Sequence, residues 1–321
     1  MLSQLRLTGE PATIVFAFMI IPVQKDADFI KDFTEADRVT GAIHVWWLGQ
    51  SGFLIKWNGQ GLLIDPYLSD SHTRASEGTD HQIKRISERV VDPLALSGIE
   101  AVICSSAQPD RLDRETLLPL QAANPNLKLV IPAGIADQTR DLLGAAGPNI
   151  VPVNAGTFVE FSSVKFHGID AATPKIRRDT HGNSKDLGFV LLFGPFAIYY
   201  SGQTIWHTQL VKAIRRWPIN LAFMPINGDE KSADGRDSLN GFEAAALAKA
   251  TSSSIVIPGH FDMFDQNNPS TDEFTGCCER LSQRFRVLKL GQRMTMGPVT
   301  DPSSGKASSS EPHRENSGLG Y

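Results

Sequence analysis

Ala101-Val102-Ile103-Cys104-Ser105-Ser106-Ala107-Gln108-Pro109-Asp110-Arg111-Leu112-Asp113 passes from an apolar lead into a polar loop and ends at an aspartate placed to start a helix. Residues 114–124 carry that helix, with Arg114 and Glu115 in its first turn and Leu117, Leu118 and Leu120 on the inward side. Upstream, Ile43 to Ile55 and Leu62 to Leu68 are apolar runs separated by Asn58-Gly59, the dipeptide that best supplies two left-handed residues to a tight hairpin.

Downstream, strand-like and helix-like segments alternate. Val130-Ile131-Pro132, Ile198-Tyr199-Tyr200, Leu221-Ala222-Phe223-Met224 and Ser254 to Ile257 read as buried strands. Ala136 to Leu143, the Ala-rich stretch Gly241 to Ala250, and Phe274 to Phe285 read as helices. This is the alternation of an α/β protein.

Five separated strings then carry a resemblance: the 101–113 loop, Leu187-Gly188-Phe189-Val190, Tyr199-Tyr200-Ser201-Gly202-Gln203-Thr204, Met224-Pro225-Ile226-Asn227-Gly228, and Ile257-Pro258-Gly259-His260-Phe261-Asp262-Met263-Phe264. In order and spacing they resemble the metallo-β-lactamase superfamily, and within it the branch of sugar-phosphate lactonases typified by L-ascorbate-6-phosphate lactonase. The resemblance runs from about Ile43 to about Gly291 and implies a four-layer αββα sandwich over residues 41–298. Residues 1–40 would then be an N-terminal extension and lead-in, and 299–321 a tail.

In that family a loop reading S-H-x-H-x-D-H-L-D projects histidines and an aspartate toward two divalent ions, which lower the pKa of bound water to make hydroxide. Carried onto this chain, the first histidine falls on Ser106, the second on Gln108 and the third on Arg111, while the aspartate is kept as Asp110. A further histidine position, after Ala171-Ala172, holds Thr173, and the bridging aspartate of the family's S-G-D-T turn is Gln203. His260 keeps its place. Five of the seven carried-over positions have lost their ligand.

Hydroxyl and amide groups are poor ligands for zinc or manganese, and Arg111 is worse than neutral. A guanidinium stays protonated and offers only donors; a divalent ion ~4 Å away would be repelled by about 8 kcal/mol at an effective dielectric near 20. The expectation is therefore a vacated metal pocket in which Arg111 occupies a former metal position and pairs with Asp110 or bonds Gln203. No cofactor is expected; zinc or manganese would be expected only if a metal-dependent alternative held.

The other histidines read as structural. His167 is read as ending a strand, His181 as a turn residue before Gly182-Asn183, and His72, His81 and His207 as loop or helix-edge residues. His260 itself reads as a packing and hydrogen-bonding residue, and Asp65-Pro66 as ordering the loop beside the site. Of the five tryptophans, Trp46, Trp47, Trp57, Trp206 and Trp217, one of the Trp46-Trp47 pair is expected in the core, and others are candidate interface anchors.

The chain has 321 residues, 41% of them apolar, with Lys+Arg 31 against Asp+Glu 35. That balance argues against a dedicated nucleic-acid binder. Cys104, Cys277 and Cys278 show no C-x-x-C spacing and suit a reducing cytoplasm. The apolar run Thr13 to Val23 is too short to span a bilayer. Glu10 and the lack of a small-x-small site before Gln24-Lys25-Asp26 disfavour a secretory signal, and Met19 is an alternative start. Asp301 to Tyr321, rich in Ser, Gly and charge, reads as a disordered tail.

Three functions compete at this stage. One is a metal-free pseudoenzyme that binds a small polar or phosphorylated ligand, with Lys175, Arg177, Arg178 and Lys185 lining the entrance. A second is an atypical, lactonase-like hydrolase with a mononuclear or metal-independent site using Asp110 and His260; a lone general base supplies about 10²–10⁴-fold, enough only for a labile bond. The third is a structural or regulatory partner of an active paralogue.

Overall fold

The computed structural model describes residues 19–228 and 236–297. The expected tail, the alternative start's upstream residues and most of the 13–23 apolar run lie outside them. Two mixed sheets pack face to face with helices on both outer surfaces, the αββα sandwich expected from the sequence.

The first sheet is built from β1 (Ile43–Gly49), β2 (Gly52–Trp57), β3 (Gln60–Ile64), β4 (Ile99–Ile103), β5 (Lys128–Pro132) and β6 (Asn149–Val153). The second comprises β7 (Phe158–Phe161), β8 (Val164–Asp170), β9 (Leu187–Phe193), β10 (Phe196–Tyr200), β11 (Leu221–Pro225) and β12 (Ile255–Gly259). A last strand, β13 (Arg293–Met296), returns to pair with β1, so the orders are β13-β1-β2-β3-β4-β5-β6 and β12-β11-β10-β9-β8-β7.

Local chemistry explains the joints. At the β2–β3 hairpin Asn58 and Gly59 take φ of 47° and 82°, which lets Trp57 pair with Gln60 across a two-residue turn. Of the helices α1 (Asp26–Glu35), α2 (Ser71–Ser76) and α3 (Arg114–Ala123), the last begins as the sequence predicts: Asp113 caps it by accepting from the Glu115 and Thr116 amides at 3.3 and 3.1 Å. After α4 (Ala136–Leu143) and α5 (Leu210–Ile214), α6 (Gly241–Ala250) starts with a capping box between Asn240 and Glu243.

The helix expected from Phe274 to Phe285 is shorter: α7 spans Asp272–Arg280. Ser282 turns to φ 49°, and the chain straightens beside β12, where the Val256 amide donates to the Arg284 carbonyl and the Val256 carbonyl accepts from the Arg286 amide. An unpaired strand edge offered better bonds than another helical turn.

The sheets meet through a stacked Phe53–Phe223 pair with ring centres 4.3 Å apart. Because the first sheet is covered on both faces at its centre, β1 is buried throughout, and both Trp46 and Trp47 belong to the core, not one of them. Trp46 packs against Phe29 and Phe33 of α1 and donates to Asp32 at 2.8 Å; Trp47 stacks on Phe261 at 4.2 Å. Among the described residues no helix is long and apolar enough to cross a membrane.

Candidate functional site

β1, β3, β4, β10 and β12 all end on one edge of the sandwich, and their following residues converge there: Gln50 and Ser51, Asp65, the 105–111 loop, Ser201 to Gln203, and His260. Carboxyl ends of strands are where α/β proteins assemble sites. Gln50, Asp65 and His260 have φ of 50°, 39° and 65°, a left-handed conformation that side chains other than glycine adopt at a cost. The fold fixes these turns in pairs, since the Gln50 carbonyl accepts from the His260 amide at 2.7 Å and from the Trp47 indole at 3.0 Å. Gly202 permits the turn after β10: at φ 61° an added Cβ would stand 2.5 Å from the Leu187 carbonyl oxygen.

Arg111 lies at the centre with none of its surface exposed. Its Nη1 donates to Gln203 Oε1 at 2.6 Å and to Gln108 Oε1; its Nη2 donates to Ser51 Oγ at 3.3 Å. Its Nε stands 3.1 Å from Asp65 Oδ2, an ion contact without hydrogen-bond alignment. Asp65 in turn accepts from the Ser105 amide at 2.6 Å, from Ser105 Oγ at 2.5 Å and from the Tyr200 hydroxyl.

The expected bond to Gln203 is therefore present, whereas the ion contact is to Asp65 in place of Asp110. Residues 108–112 form a tight turn, with the Arg111 and Leu112 amides both donating to the Gln108 carbonyl. Neighbouring side chains on such a turn point apart, which separates Arg111 from Asp110. Asp65 is thus a charge partner within the cluster and does more than order its loop.

Asp110 and His260 join the cluster through Gln50. The amide nitrogen of Gln50 lies 3.2 Å from Asp110 Oδ2 and 2.8 Å from His260 Nε2. Since the carboxylate accepts only, the amide must point its NH₂ at both, so His260 Nε2 accepts and its proton sits on Nδ1. Nδ1 then donates to Ser51 Oγ at 3.2 Å.

The charges follow from this geometry. Burial, partly opposed by Asp110 and reinforced by Arg111, pushes His260 down to about 4. Burial would raise Asp110, but the Arg111 and His260 charges and the Gln50 bond hold it below the usual carboxylate value. Burial disfavours the Arg111 charge, and the attraction of Asp110, Tyr200 and Asp65 more than restores it, raising its pKa. Burial raises the Asp65 carboxyl against the pull of Arg111, Ser105 and Tyr200.

Of the seven positions singled out in the sequence, Gln108 and Gln203 each accept directly from Arg111, and Asp110 and His260 are tied in by Gln50 and Ser51. Ser106 lies in the same loop but accepts only from the Gln108 amide, at 3.4 Å. Thr173 stays outside the bonded cluster: its amide donates to the Lys175 carbonyl, and its buried hydroxyl has no partner. The Thr173 loop is nonetheless tied to that of Gln203 through Ala172, whose amide donates to Thr204 Oγ1 at 3.0 Å.

The remaining histidines lie elsewhere. His167 sits within β8, not at its end, packed between Phe158 and Trp217 with ring centres 4.9 and 5.1 Å away. His72 packs edge-on to Phe264, His207 contacts the Asp170 carbonyl, and His181 is an exposed turn residue. Two of the four basic residues assigned to the entrance are already paired: Arg177 forks onto Asp186 with two 2.6 Å bonds, and Arg178 holds Asp170.

Comparison with known proteins fits this architecture: the sequence matches the beta-lactamase superfamily domain over residues 44–260. The chain belongs to that superfamily. It is 24% identical over 246 residues to a UPF0173 metal-dependent hydrolase of Caldivirga maquilingensis, covering 76% of this chain and 93% of the relative. A second UPF0173 metal-dependent hydrolase, from a Polaromonas species, is 25% identical over 272 residues, covering 80% and 91%. The solved structure of an isothiocyanate hydrolase from Delia radicum gut bacteria superposes with a TM-score of 0.63 at 14% identity, covering 80% of this chain and all of the other.

Those names make a metal the natural expectation, and the donor set can be tested against it. Among the described residues no three histidine, cysteine, aspartate or glutamate side chains converge as a metal-holding group. Around Arg111 this chain presents a buried guanidinium, two side-chain amides and a hydroxyl. Such groups do not fit a divalent ion.

Proposed function

We propose that this chain is a metal-free member of the superfamily, descended from a sugar-phosphate-lactonase-like hydrolase, in which Arg111 supplies the positive charge that metal ions supply in active members. The observation that carries this reading is the fully buried Arg111 guanidinium, bonded to Gln203, Gln108 and Ser51 and touching Asp65. One cation centred among Asp65 and Asp110 neutralises carboxyl groups that would otherwise be costly to bury. Ser106, Gln108, Asp110, Arg111, Thr173, Gln203 and His260 would then mark a vacated metal pocket used for structure.

The bonding pattern also argues against base catalysis by the two retained residues. His260 Nε2 spends its lone pair on Gln50, its Nδ1 carries a proton, and Ser51 Oγ already accepts from two donors. Gln50, Ser51, Asp110, Arg111, Gln203 and His260 each expose 9% of their surface or less, so a substrate would have to displace side chains to reach them.

The competing reading, a lactonase-like hydrolase working through Asp110 and His260, draws on the names of the relatives and on the survival of those two side chains. Assay of lactone hydrolysis with and without added manganese or zinc, on the native protein and on His260→Gln, separates the two. Our reading expects no turnover above the uncatalysed rate in any arm; turnover lost in His260→Gln would establish the hydrolase.

A further inference from the structure

On the outer face of the second sheet a cleft of about 470 Å³ lies between α5 and the paired strands β7 and β8. The strand pattern makes it. In β8 the buried Val164, Phe166 and Gly168 alternate with Lys165 and His167, which face outward. β7 is the last strand of its sheet, and α5, only five residues long, packs on β8 and leaves Phe158 of β7 53% exposed.

The wall left open is a row of rings. Phe158 stands opposite His167 in the antiparallel register with ring centres 4.9 Å apart, and Trp217, just after α5, lies 5.1 Å from His167. Burial and the Lys165 charge hold the His167 imidazole below its ordinary value, so near neutral pH it is a ring and not a cation.

The backbone behind the rings is fixed. The Gly156 amide donates to the Gly168 carbonyl at 2.9 Å and the Gly168 amide to the Thr157 carbonyl at 3.0 Å. A Cβ on Gly168 would stand 2.5 Å from the Asn154 carbonyl oxygen.

Charge is added beside this wall. Asp170 is the one carboxylate among the lining residues, and Arg178 neutralises it through Nη2 at 2.7 and 2.8 Å from its two oxygens, while Nη1 bonds Ser184. Arg216 also lines the cleft, is exposed, and forms no ion pair among the described residues. An uncharged aromatic wall and one unbalanced guanidinium thus share a space within the roughly 300–1,000 Å³ typical of small-molecule sites.

Each feature selects part of a ligand. Exposed ring faces gain most from another flat ring, and a guanidinium recognises a carboxylate or a phosphate by the same planar fork. We infer that this cleft binds a small aromatic molecule carrying an anionic oxygen group, with the ring against Phe158, His167 and Trp217 and the anion at Arg216. No residue of the Arg111 cluster lines it, so the site stands independently of the metal-free reading.

Titration calorimetry of the full chain with naphthoate and naphthyl phosphate tests the site, with naphthylmethanol as the probe lacking the charge and cyclohexanecarboxylate as the probe lacking the aromatic ring. Phe158 and Arg216 are exposed, so Phe158→Ser and Arg216→Gln leave the core intact. The expected result is saturable binding of at least one naphthyl anion at ~1 mM or below, weakened about fivefold in each variant. The stronger of the two anions identifies the group. No saturable heat up to ~10 mM, unchanged affinity in either variant, or a control probe binding as tightly as the naphthyl anions would overturn the site.

Discussion

Arg111 Nη1 and Gln203 Oε1 lie 2.6 Å apart, joining the loop after β4 to the turn after β10 across the two sheets. At Gln203 active members of the superfamily carry an aspartate, by the resemblance of the Ser201-Gly202-Gln203-Thr204 turn. An amide there accepts from the guanidinium without adding a third buried carboxylate to Asp65 and Asp110.

Arg111→Met should destabilise the protein by about 3–5 kcal/mol, because it strips the cation from carboxyl groups that stay buried. Urea denaturation followed by tryptophan fluorescence gives the value. Gln203→Met, which removes one neutral acceptor, should cost less, on the order of 1–2 kcal/mol. A loss below about 1 kcal/mol for Arg111→Met would mean that the carboxyl groups do not depend on it.

Acidification should weaken the fold before ordinary carboxylates titrate. His260 is held at about 4 against its ordinary 6.5, so between those values the unfolded chain binds the proton and the folded one does not. Stability that is complete above pH 6.5 is therefore lost as pH falls toward 4, by roughly 2–3 kcal/mol. His260→Gln should flatten that part of the stability profile. Asp110, depressed in the fold, adds a further loss at lower pH still.

Gly202→Ala should cost on the order of 2 kcal/mol, since it forces a side chain into a left-handed turn and against the Leu187 carbonyl. Thermal unfolding reads this directly. An unchanged melting temperature would show that the Ser201 to Gln203 turn can relax.

Restoring the lost ligands should restore metal binding. Ser106→His, Gln108→His, Arg111→His and Gln203→Asp together would add four donors to Asp110 and His260. Equilibrium dialysis should then find zinc bound stoichiometrically, whereas Arg111→His alone should not bind it tightly. Zinc uptake by the unaltered chain equal to that of the quadruple variant would remove the reason for assigning Arg111 its role.

The sandwich was legible because its signals are local. Asn58-Gly59 dictates a hairpin, Asp113 a helix start, and the Ala-rich 241–250 run a helix, and all three are present in the structure. The expectation of a changed ligand set likewise rests on side-chain chemistry at motif positions that the resemblance assigns.

What the sequence concealed was partnership across the fold. Asp65 and Arg111 are brought together only by β3 lying beside β4, so adjacency in sequence pointed wrongly to Asp110. Gln50 and Ser51 read as part of one apolar run from Ile43 to Ile55; the fold breaks that run into β1 and β2 at these two residues, and the left-handed turn at Gln50 sets its amide beside both Asp110 and His260. Arg177 and Arg178 looked like free cations because Asp186 and Asp170 are matched to them by the β8–β9 connection, not by any helical spacing.

The central claim is that Arg111 stands where a metal would. Elemental analysis of protein purified without chelators, dialysed against metal-free buffer, tests it most directly. The account predicts zinc, manganese and iron each well below about 0.1 equivalent per chain; about one equivalent or more, lost when Asp110 or His260 is replaced, would contradict it.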